Sequence, residues 1–107
     1  MKKILIVDDD YANRLLYQEE FTVEGYEVIT ANTCEGLLET IARHLPNLII
    51  LSFRRAEGNE LDTLDRIREA NYEIPVFLST EYLPVGTVHN LLQKIEESRR
   101  AYFGEVG

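Results

Sequence analysis

The side chains that could do chemistry stand at the ends of apolar runs in this sequence. Two carboxylates follow the first run, one hydroxyl follows a later run, and two more hydroxyls end the last run. These five residues, called the strand-end site below, are Asp8, Asp9, Ser52, Ser79 and Thr80. Carboxylate oxygens are preferred ligands of hard cations such as Mg²⁺. Strand-end hydroxyls can bond either an anion or a nearby loop backbone group.

Ser52 is a weak nucleophile unless a base activates it. A serine hydroxyl needs an adjacent general base to attack, and the two histidines, His44 and His89, both fall on predicted helices. Serine also adds no carboxylate to Asp8 and Asp9, so these two residues are expected to bind Mg²⁺ weakly at most. The sequence therefore predicts no catalytic residue and no resident cofactor.

Arg54 and Arg55 follow directly after this serine and offer positive charge to the two aspartates. Asp8 and Asp9 are like charges placed side by side. A guanidinium can bond a carboxylate through two parallel hydrogen bonds, so either arginine could occupy the space of a metal ion. In the alternative interpretation both arginines are solvated at the surface, where ion pairs contribute little.

The elements that must position these residues alternate between strand and helix. Four segments rich in Val, Ile and Leu have little polar alternation, which is typical of parallel strands covered on both faces. The predicted strands are residues 3–7, 25–29, 46–51 and 74–80. In such a sheet, ligands gather outside the carboxyl ends of the strands. The fold class is therefore α/β, with the strand-end site at one edge of the sheet.

Apolar residues at helical spacing predict four helices between and after these strands. Their inward faces are Ala12, Leu16, Tyr17 and Phe21, then Leu37, Leu38, Ile41 and Leu45, then Leu61, Leu64 and Ile67, and finally Val88, Leu91, Leu92 and Ile95. Predicted N-caps are Asp10 for the first helix, Asn32 or Thr33 for the second, and Thr87 for the last. Gly25 and Pro46 are expected to end the first two helices.

Composition restricts the class of protein. A chain of 107 residues with 45% hydrophobic and 28% charged residues is expected to form one globular domain over 1–107. The net charge of −8 argues against a nucleic-acid surface, which needs clustered Lys and Arg. One cysteine allows no internal disulfide and suits a reducing cytoplasm. No apolar run approaches the roughly 20 residues that cross a bilayer.

The ordered set of strands and strand-end residues resembles the receiver domain of two-component response regulators over residues 1–80. The resemblance rests on the apolar strand before Asp8 and Asp9, the third strand before residue 52, and Thr80 five places after Pro75. The resemblance implies a three-layer, flavodoxin-like (CheY-like) parallel sheet with helices on both faces. It also implies that residues matching Asp8 and Asp9 hold a cation and that the one matching Thr80 bonds a phosphoryl group.

Three departures from the family pattern change this expectation. Ser52 stands where the family has its phosphoryl-accepting aspartate, which leaves Asp8, Asp9, Ser52 and Thr80 as a degenerate phosphorylation pocket. The family's strand-end lysine is absent, since the lysines are Lys2, Lys3 and Lys94. Residues 81–86 are too few for a crossover helix and a fifth strand, because a βαβ unit needs about 30 residues. We therefore expect four strands in the order 2-1-3-4, a last helix over 87–100 and a tail over 101–107.

The shortening predicts an unprotected sheet edge. Without a fifth strand, one row of backbone groups on the fourth strand lacks a neighbour, and proteins rarely leave such an edge bare. Either the last helix and the tail residues 101–103 cover it, or a second copy of the chain does. We expect a homodimer with Tyr82, Leu83 and Val85 at its centre.

Two classes of function fit these residues. The first is a cytoplasmic, non-enzymatic module of a two-component system that is not phosphorylated at the usual position and acts through protein partners, away from nucleic acids and membranes. The second is a small phosphotransferase using Asp8, because Asp8-Asp9-Asp10 also resembles the nucleophile motif of haloacid-dehalogenase-type phosphatases. That family needs a lysine near the site, and the chain offers no suitable one.

Overall fold

A computed structural model of the chain describes residues 2–52, 60–70 and 73–106. Strands and helices alternate throughout these residues, as the apolar periodicity predicts. The elements are β1 (Lys3–Val7), α1 (Tyr11–Val23), β2 (Glu27–Ala31), α2 (Leu37–His44), β3 (Leu48–Ser52), α3 (Glu60–Glu69), β4 (Val76–Ser79) and α4 (Val85–Val106). No helix in these ranges is both long and apolar enough to cross a membrane.

The four strands form one parallel sheet in the order β2-β1-β3-β4, which confirms the predicted fold class and strand order. In register, Val7 lies beside Leu51, and Ser52 lies beside Ser79. The carboxyl ends of β1, β3 and β4 therefore meet at one edge. β4 leads into α4 through residues 80–84, with no strand or helix between them.

Two apolar clusters fill the space on the two faces of the sheet. Alternate residues of a strand point to opposite faces, so the all-apolar strands β1 and β3 supply both clusters. One cluster joins α1 and α4 to the sheet and contains Ile4, Ile6, Tyr17, Phe21, Tyr26, Leu48, Ile50, Val88 and Leu92. The other joins α2 and α3 to the sheet and contains Leu5, Val7, Leu37, Ile41, Ile49, Leu51 and Ile67.

α1 begins as predicted. The Asp10 side chain accepts a hydrogen bond from the Ala12 N–H at 2.9 Å, which caps the helix. The predicted inward face is only half right, because Tyr17 and Phe21 are buried whereas Ala12 and Leu16 are exposed. Leu16 lies about 100° around the helix from Tyr17, on the side of α1 that faces solvent. Gly25, with φ of 91°, turns the chain after the helix, and β2 begins only at residue 27.

α2 ends before Pro46 as predicted, but its N-cap and the burial of Leu45 differ from the prediction. Neither Asn32 nor Thr33 caps it, because the helix starts at Leu37 and its N-cap position is Gly36. The Thr33 hydroxyl instead accepts the Glu35 N–H at 3.2 Å, which forms a turn before the helix. Leu45 was expected to be buried but is 61% exposed, since it adopts a left-handed conformation with φ of 47°. The residue before a proline is disfavoured in a right-handed helix.

The two remaining helices also deviate locally. In α3, Ile67 is buried, but Leu61 is 67% exposed and Thr63 takes the inward position. Thr87 does not cap α4, because that helix already starts at Val85 and the Val88 N–H bonds the Pro84 carbonyl at 3.1 Å. The helix continues to Val106, so the last helix extends beyond the predicted residues 87–100 and includes most of the expected tail.

Candidate functional site

The strand-end site forms where β1, β3 and β4 terminate side by side. Asp8 follows β1 and is only 1% exposed, whereas the neighbouring Asp9 is exposed. Ser52 ends β3 and pairs in register with Ser79 of β4, and Thr80 is exposed in the bend that follows. The topology thus brings the ends of these strands to one edge of the sheet, as the sequence predicts for parallel strands.

Asp8 is tied into the local backbone by several hydrogen bonds. One carboxylate oxygen, Oδ1, accepts the Asp10 N–H at 2.9 Å, and Oδ2 accepts the Asn13 side-chain amide at 3.2 Å. The Asp8 backbone N–H donates to the Ala31 carbonyl at 3.0 Å. These bonds replace the water that a buried carboxylate would lose, which explains how the charge is tolerated inside the fold.

Arg14 supplies a positive charge to this site. Its guanidinium donates to the Asp8 backbone carbonyl at 2.7 Å, and its central carbon lies 5.7 Å from the Tyr11 ring centroid. Sequence reasoning missed both Asn13 and Arg14 and looked to Arg54 and Arg55, which lie outside the described residues. The available signal was the position of Asn13 and Arg14 at the start of α1, directly after the acidic residues.

Ser52 has an unusual environment. Its hydroxyl oxygen is buried and has no hydrogen-bond partner among residues 2–52, 60–70 and 73–106, although the residue as a whole is partly exposed. Ser79, in contrast, is locally satisfied, because its hydroxyl donates to the Glu81 carbonyl at 2.6 Å and accepts the Glu81 N–H at 3.2 Å. The Ser79 hydroxyl therefore stabilises the turn after β4.

The donor set does not fit a firmly held metal ion. Within residues 2–52, 60–70 and 73–106, no group of three or more histidine, cysteine or carboxylate side chains is arranged to bind one. Mg²⁺ needs near-octahedral oxygen coordination, and Ser52 provides a neutral hydroxyl where a third carboxylate would stand. We therefore assign no metal-dependent step to this site.

The residues after the site pack inward. Tyr82, Leu83 and Val85 are half-buried against the α1–α4 cluster. The Tyr82 ring lies 4.5 Å from the Tyr17 ring, between centroids, and the Leu83 N–H donates to the Tyr17 hydroxyl at 2.9 Å. The connection from β4 to α4 is thus held against α1. The assignment of Tyr82, Leu83 and Val85 to a dimer centre stays a prediction.

Tyr82 also forms a polar contact with α1. Its hydroxyl donates to a Glu20 carboxylate oxygen at 2.7 Å. Burial, the hydrogen bond to Glu20 and the negative charge of that carboxylate raise the pKa of Tyr82 well above its ordinary value. Burial and the nearby Glu24 charge also raise the pKa of Tyr26, whose hydroxyl lies 2.8 Å from Nδ1 of His89.

Comparison with curated proteins identifies the family. The sequence model of the response regulator receiver domain matches residues 4–96. Sporulation initiation phosphotransferase F of Bacillus subtilis (strain 168) is 32% identical over 81 residues, which are 76% of this chain and 65% of that protein. Transcriptional regulatory protein ZraR of Klebsiella oxytoca is 33% identical over 90 residues, 84% of this chain but 20% of that protein. The chain spans less than two thirds of both relatives.

Solved structures agree with this result. The complex of the histidine kinase ThkA with the response regulator protein TrrA contains a chain with a TM-score of 0.66 and 33% identity, covering 79% of this chain and 73% of that one. The N-terminal domain of a response regulator/sensory box/GGDEF protein from Carboxydothermus hydrogenoformans has a TM-score of 0.65 and 25% identity, covering 99% and 100%. With the family model matching most of its length and the strand order observed, this chain belongs to the response regulator receiver domain family.

Proposed function

We propose that this receiver domain is a signalling module that acts through protein contacts without being phosphorylated at the end of β3. The observation that supports this proposal is Ser52 at the end of β3, whose buried hydroxyl has no hydrogen-bond partner in the described part of the chain. An acyl phosphate requires a carboxylate nucleophile, and a serine without an adjacent base is a poor substitute. His89, one candidate base, already pairs with Tyr26 on the α4 side of the sheet.

The alternative, a phosphotransferase using Asp8, is less well supported. Both carboxylate oxygens of Asp8 already accept hydrogen bonds, from the Asp10 N–H and the Asn13 amide. Its side chain is almost fully buried. A nucleophile must approach its substrate within about 3–3.5 Å along an open path. The environment of Asp8 is better suited to anchoring the start of α1 than to attack on a phosphate ester.

The exposed surface of α1 offers a place for protein contacts. Three large apolar side chains beside the strand-end site are exposed to solvent: Tyr11 (69%), Leu15 (46%) and Leu16 (41%). Adjacent exposed apolar side chains are typical of protein interaction sites. A histidine kinase is the partner named for the related TrrA protein, and we propose a signalling protein of the cytoplasm as the partner here.

Phosphorylation by a small phosphodonor tests the proposal. The intact chain is incubated with acetyl phosphate and Mg²⁺. Its mass is then measured by mass spectrometry before and after hydroxylamine treatment. We expect no labile adduct on the natural chain. A hydroxylamine-resistant phosphoryl group mapped to Ser52 would contradict the proposal, whereas a hydroxylamine-sensitive one on Asp8, or turnover of a phosphate ester, would favour the Asp8 enzyme.

A substitution at Ser52 provides the matched comparison. Ser52→Asp adds a third carboxylate beside Asp8 and Asp9, so we expect it to bind Mg²⁺ more tightly, by tenfold or more, than the natural chain in calorimetry. The asparagine of Ser52→Asn has nearly the same size as this aspartate but no charge. This variant should bind Mg²⁺ as weakly as the natural chain does. Equal Mg²⁺ affinity for all three proteins would mean that residue 52 does not decide the chemistry of this site.

A further inference from the structure

The outer edge of β4 is open, and the proposed function assigns it no role. β4 is the last strand in the order β2-β1-β3-β4, and the described residues place no strand on its outer side. Its four residues run Val76 to Ser79. The first three are apolar, so hydrophobic side chains lie on both faces of this edge strand.

The hydrogen-bond pattern shows which backbone groups face outward. The Ile49 N–H donates to the Pro75 carbonyl at 3.0 Å, and Ile49 pairs in register with Val76. In a parallel ladder, alternate residues bond the same neighbour. The N–H and C=O of Phe77 therefore face β3, and those of Val76 and Leu78 point to the open edge.

An apolar groove runs along this edge on the α4 side of the sheet. Its volume is about 470 Å³, and it is lined by Phe77, Leu91, Lys94, Ile95 and Ser98. On the opposite face, the Leu78 side chain is 37% exposed. A strand that pairs with β4 would thus meet apolar surface above and below it, and it must itself be apolar on both faces.

We propose that the occupant of this edge is a second copy of the chain, paired β4 to β4 in antiparallel orientation. A two-fold axis between the Phe77 residues of the two copies places Val76 of each copy opposite Leu78 of the other. Residues paired in this way exchange both of their backbone hydrogen bonds. β4 is itself apolar on both faces, as the groove requires, and the pairing joins two sheets into one of eight strands.

The residues of α4 are complementary under the same two-fold axis. Phe77 lines the groove together with Leu91, Lys94, Ile95 and Ser98, so an axis beside Phe77 passes close to this part of α4. Lys94 and the exposed Glu97 lie one turn apart on α4. Antiparallel placement directs Lys94 of one copy toward Glu97 of the second copy. Opposite charges thus flank the apolar centre of the interface.

The mass in solution tests this pairing, measured by sedimentation equilibrium in about 0.15 M NaCl, which limits repulsion between the acidic copies. We expect the natural chain to rise from 12.4 kDa toward twice that mass with concentration. Leu78→Lys places a charge at the edge, which is how natural edge strands prevent pairing. It should stay at monomer mass, whereas the control Leu61→Lys, at an exposed leucine of α3, should dimerise normally.

Hydrogen exchange on the natural chain locates the interface without any substitution. The amides of Val76 and Leu78 should gain protection as the dimer forms, while the Phe77 amide, bonded to β3, should be protected at all concentrations. A monomer at every concentration would overturn the proposal. A dimer that still forms in Leu78→Lys would also overturn it. A dimer in which the amides of Val76 and Leu78 exchange freely would overturn it as well. None of these results depends on whether the chain is phosphorylated.

Discussion

Asp8 and Ser52 terminate neighbouring strands but have opposite hydrogen-bonding states. The Asp8 carboxylate is buried and bonded to a backbone N–H and a side-chain amide, whereas the buried Ser52 hydroxyl oxygen has no partner among the described residues. The two strand-end residues therefore differ in their hydrogen bonding as well as in the chemistry of their side chains.

Tyr82 gives a prediction about alkaline pH at the scale of one residue. Its folded-state pKa is raised, first by burial and then by its hydrogen bond to Glu20. The unfolded chain loses this proton near pH 10, but the folded chain keeps it. The stabilisation is therefore fully present below pH 10 and is lost as the pH rises toward the folded-state pKa.

Tyr82→Phe tests this contact through urea unfolding at pH 8 and pH 11. At pH 8 we expect the variant to be less stable by about 1 kcal/mol, because the hydrogen bond to Glu20 is lost. Between pH 8 and pH 11 it should lose less stability than the natural chain. Tyr11→Phe, at an exposed tyrosine, is the matched control and should behave like the natural chain. An unchanged pH dependence in Tyr82→Phe would contradict the assignment.

At the scale of elements, the helices show how local sequence and packing compete. Leu45 directly follows α2 in a left-handed conformation, with φ of 47° and a side chain that is 61% exposed. A left-handed conformation costs a residue with a side chain roughly 1–2 kcal/mol. No buried contact of the Leu45 side chain offsets much of this cost, because most of it faces solvent.

Leu45→Gly should therefore stabilise the protein. Glycine adopts this conformation without the steric penalty, although it adds entropy to the unfolded chain, so the expected net gain is about 0.5–1 kcal/mol. Leu61→Gly, at an equally exposed leucine inside α3, should instead destabilise by about 1 kcal/mol. Chemical denaturation of both variants measures the two effects. A loss of stability in Leu45→Gly would show that its side chain contributes more than its exposure indicates.

At the scale of the whole molecule, the shortened topology changes which helix covers which strand. α4 directly follows β4, yet its buried residues Val88 and Leu92 pack with α1 residues Tyr17 and Phe21. The last helix thus crosses to the α1 face. The outer edge of β4 is left beside the groove between Phe77 and Ile95. In our proposal, this direct connection leaves the outer edge of β4 open to a second copy of the chain.

The net charge of −8 predicts that salt stabilises the chain. A large net charge destabilises the compact state through self-repulsion, and salt screens it as the Debye length falls from about 30 Å at 0.01 M to 8 Å at 0.15 M. The urea midpoint should therefore rise over this range. Glu19→Lys with Glu69→Lys, both at exposed positions, halves the net charge and should reduce the rise. A midpoint that falls with added NaCl would contradict this account.

Much of the fold followed from local sequence. Runs of Val, Ile and Leu predicted all four strands, the resemblance to receiver domains implied their order, and Asp10 was recognised as the cap of α1. The predicted ends of the helices were less accurate. Thr33 bonds a preceding turn, and Pro84 starts α4 early. A capping side chain competes with several nearby backbone groups, and local sequence does not decide which of them it meets.

The sequence by itself predicted which chemistry position 52 would not support, because a serine supplies no carboxylate whatever its neighbours are. It also predicted that no strand fits between β4 and α4, since residues 81–86 are too few, and the described residues 80–84 contain none. Only the tertiary structure decided which side chains surround Asp8 and that Tyr82 meets Glu20, 62 residues away along the chain. Such contacts depend on how helices pack across the sheet, and packing is a property of all the elements together rather than of any local pattern.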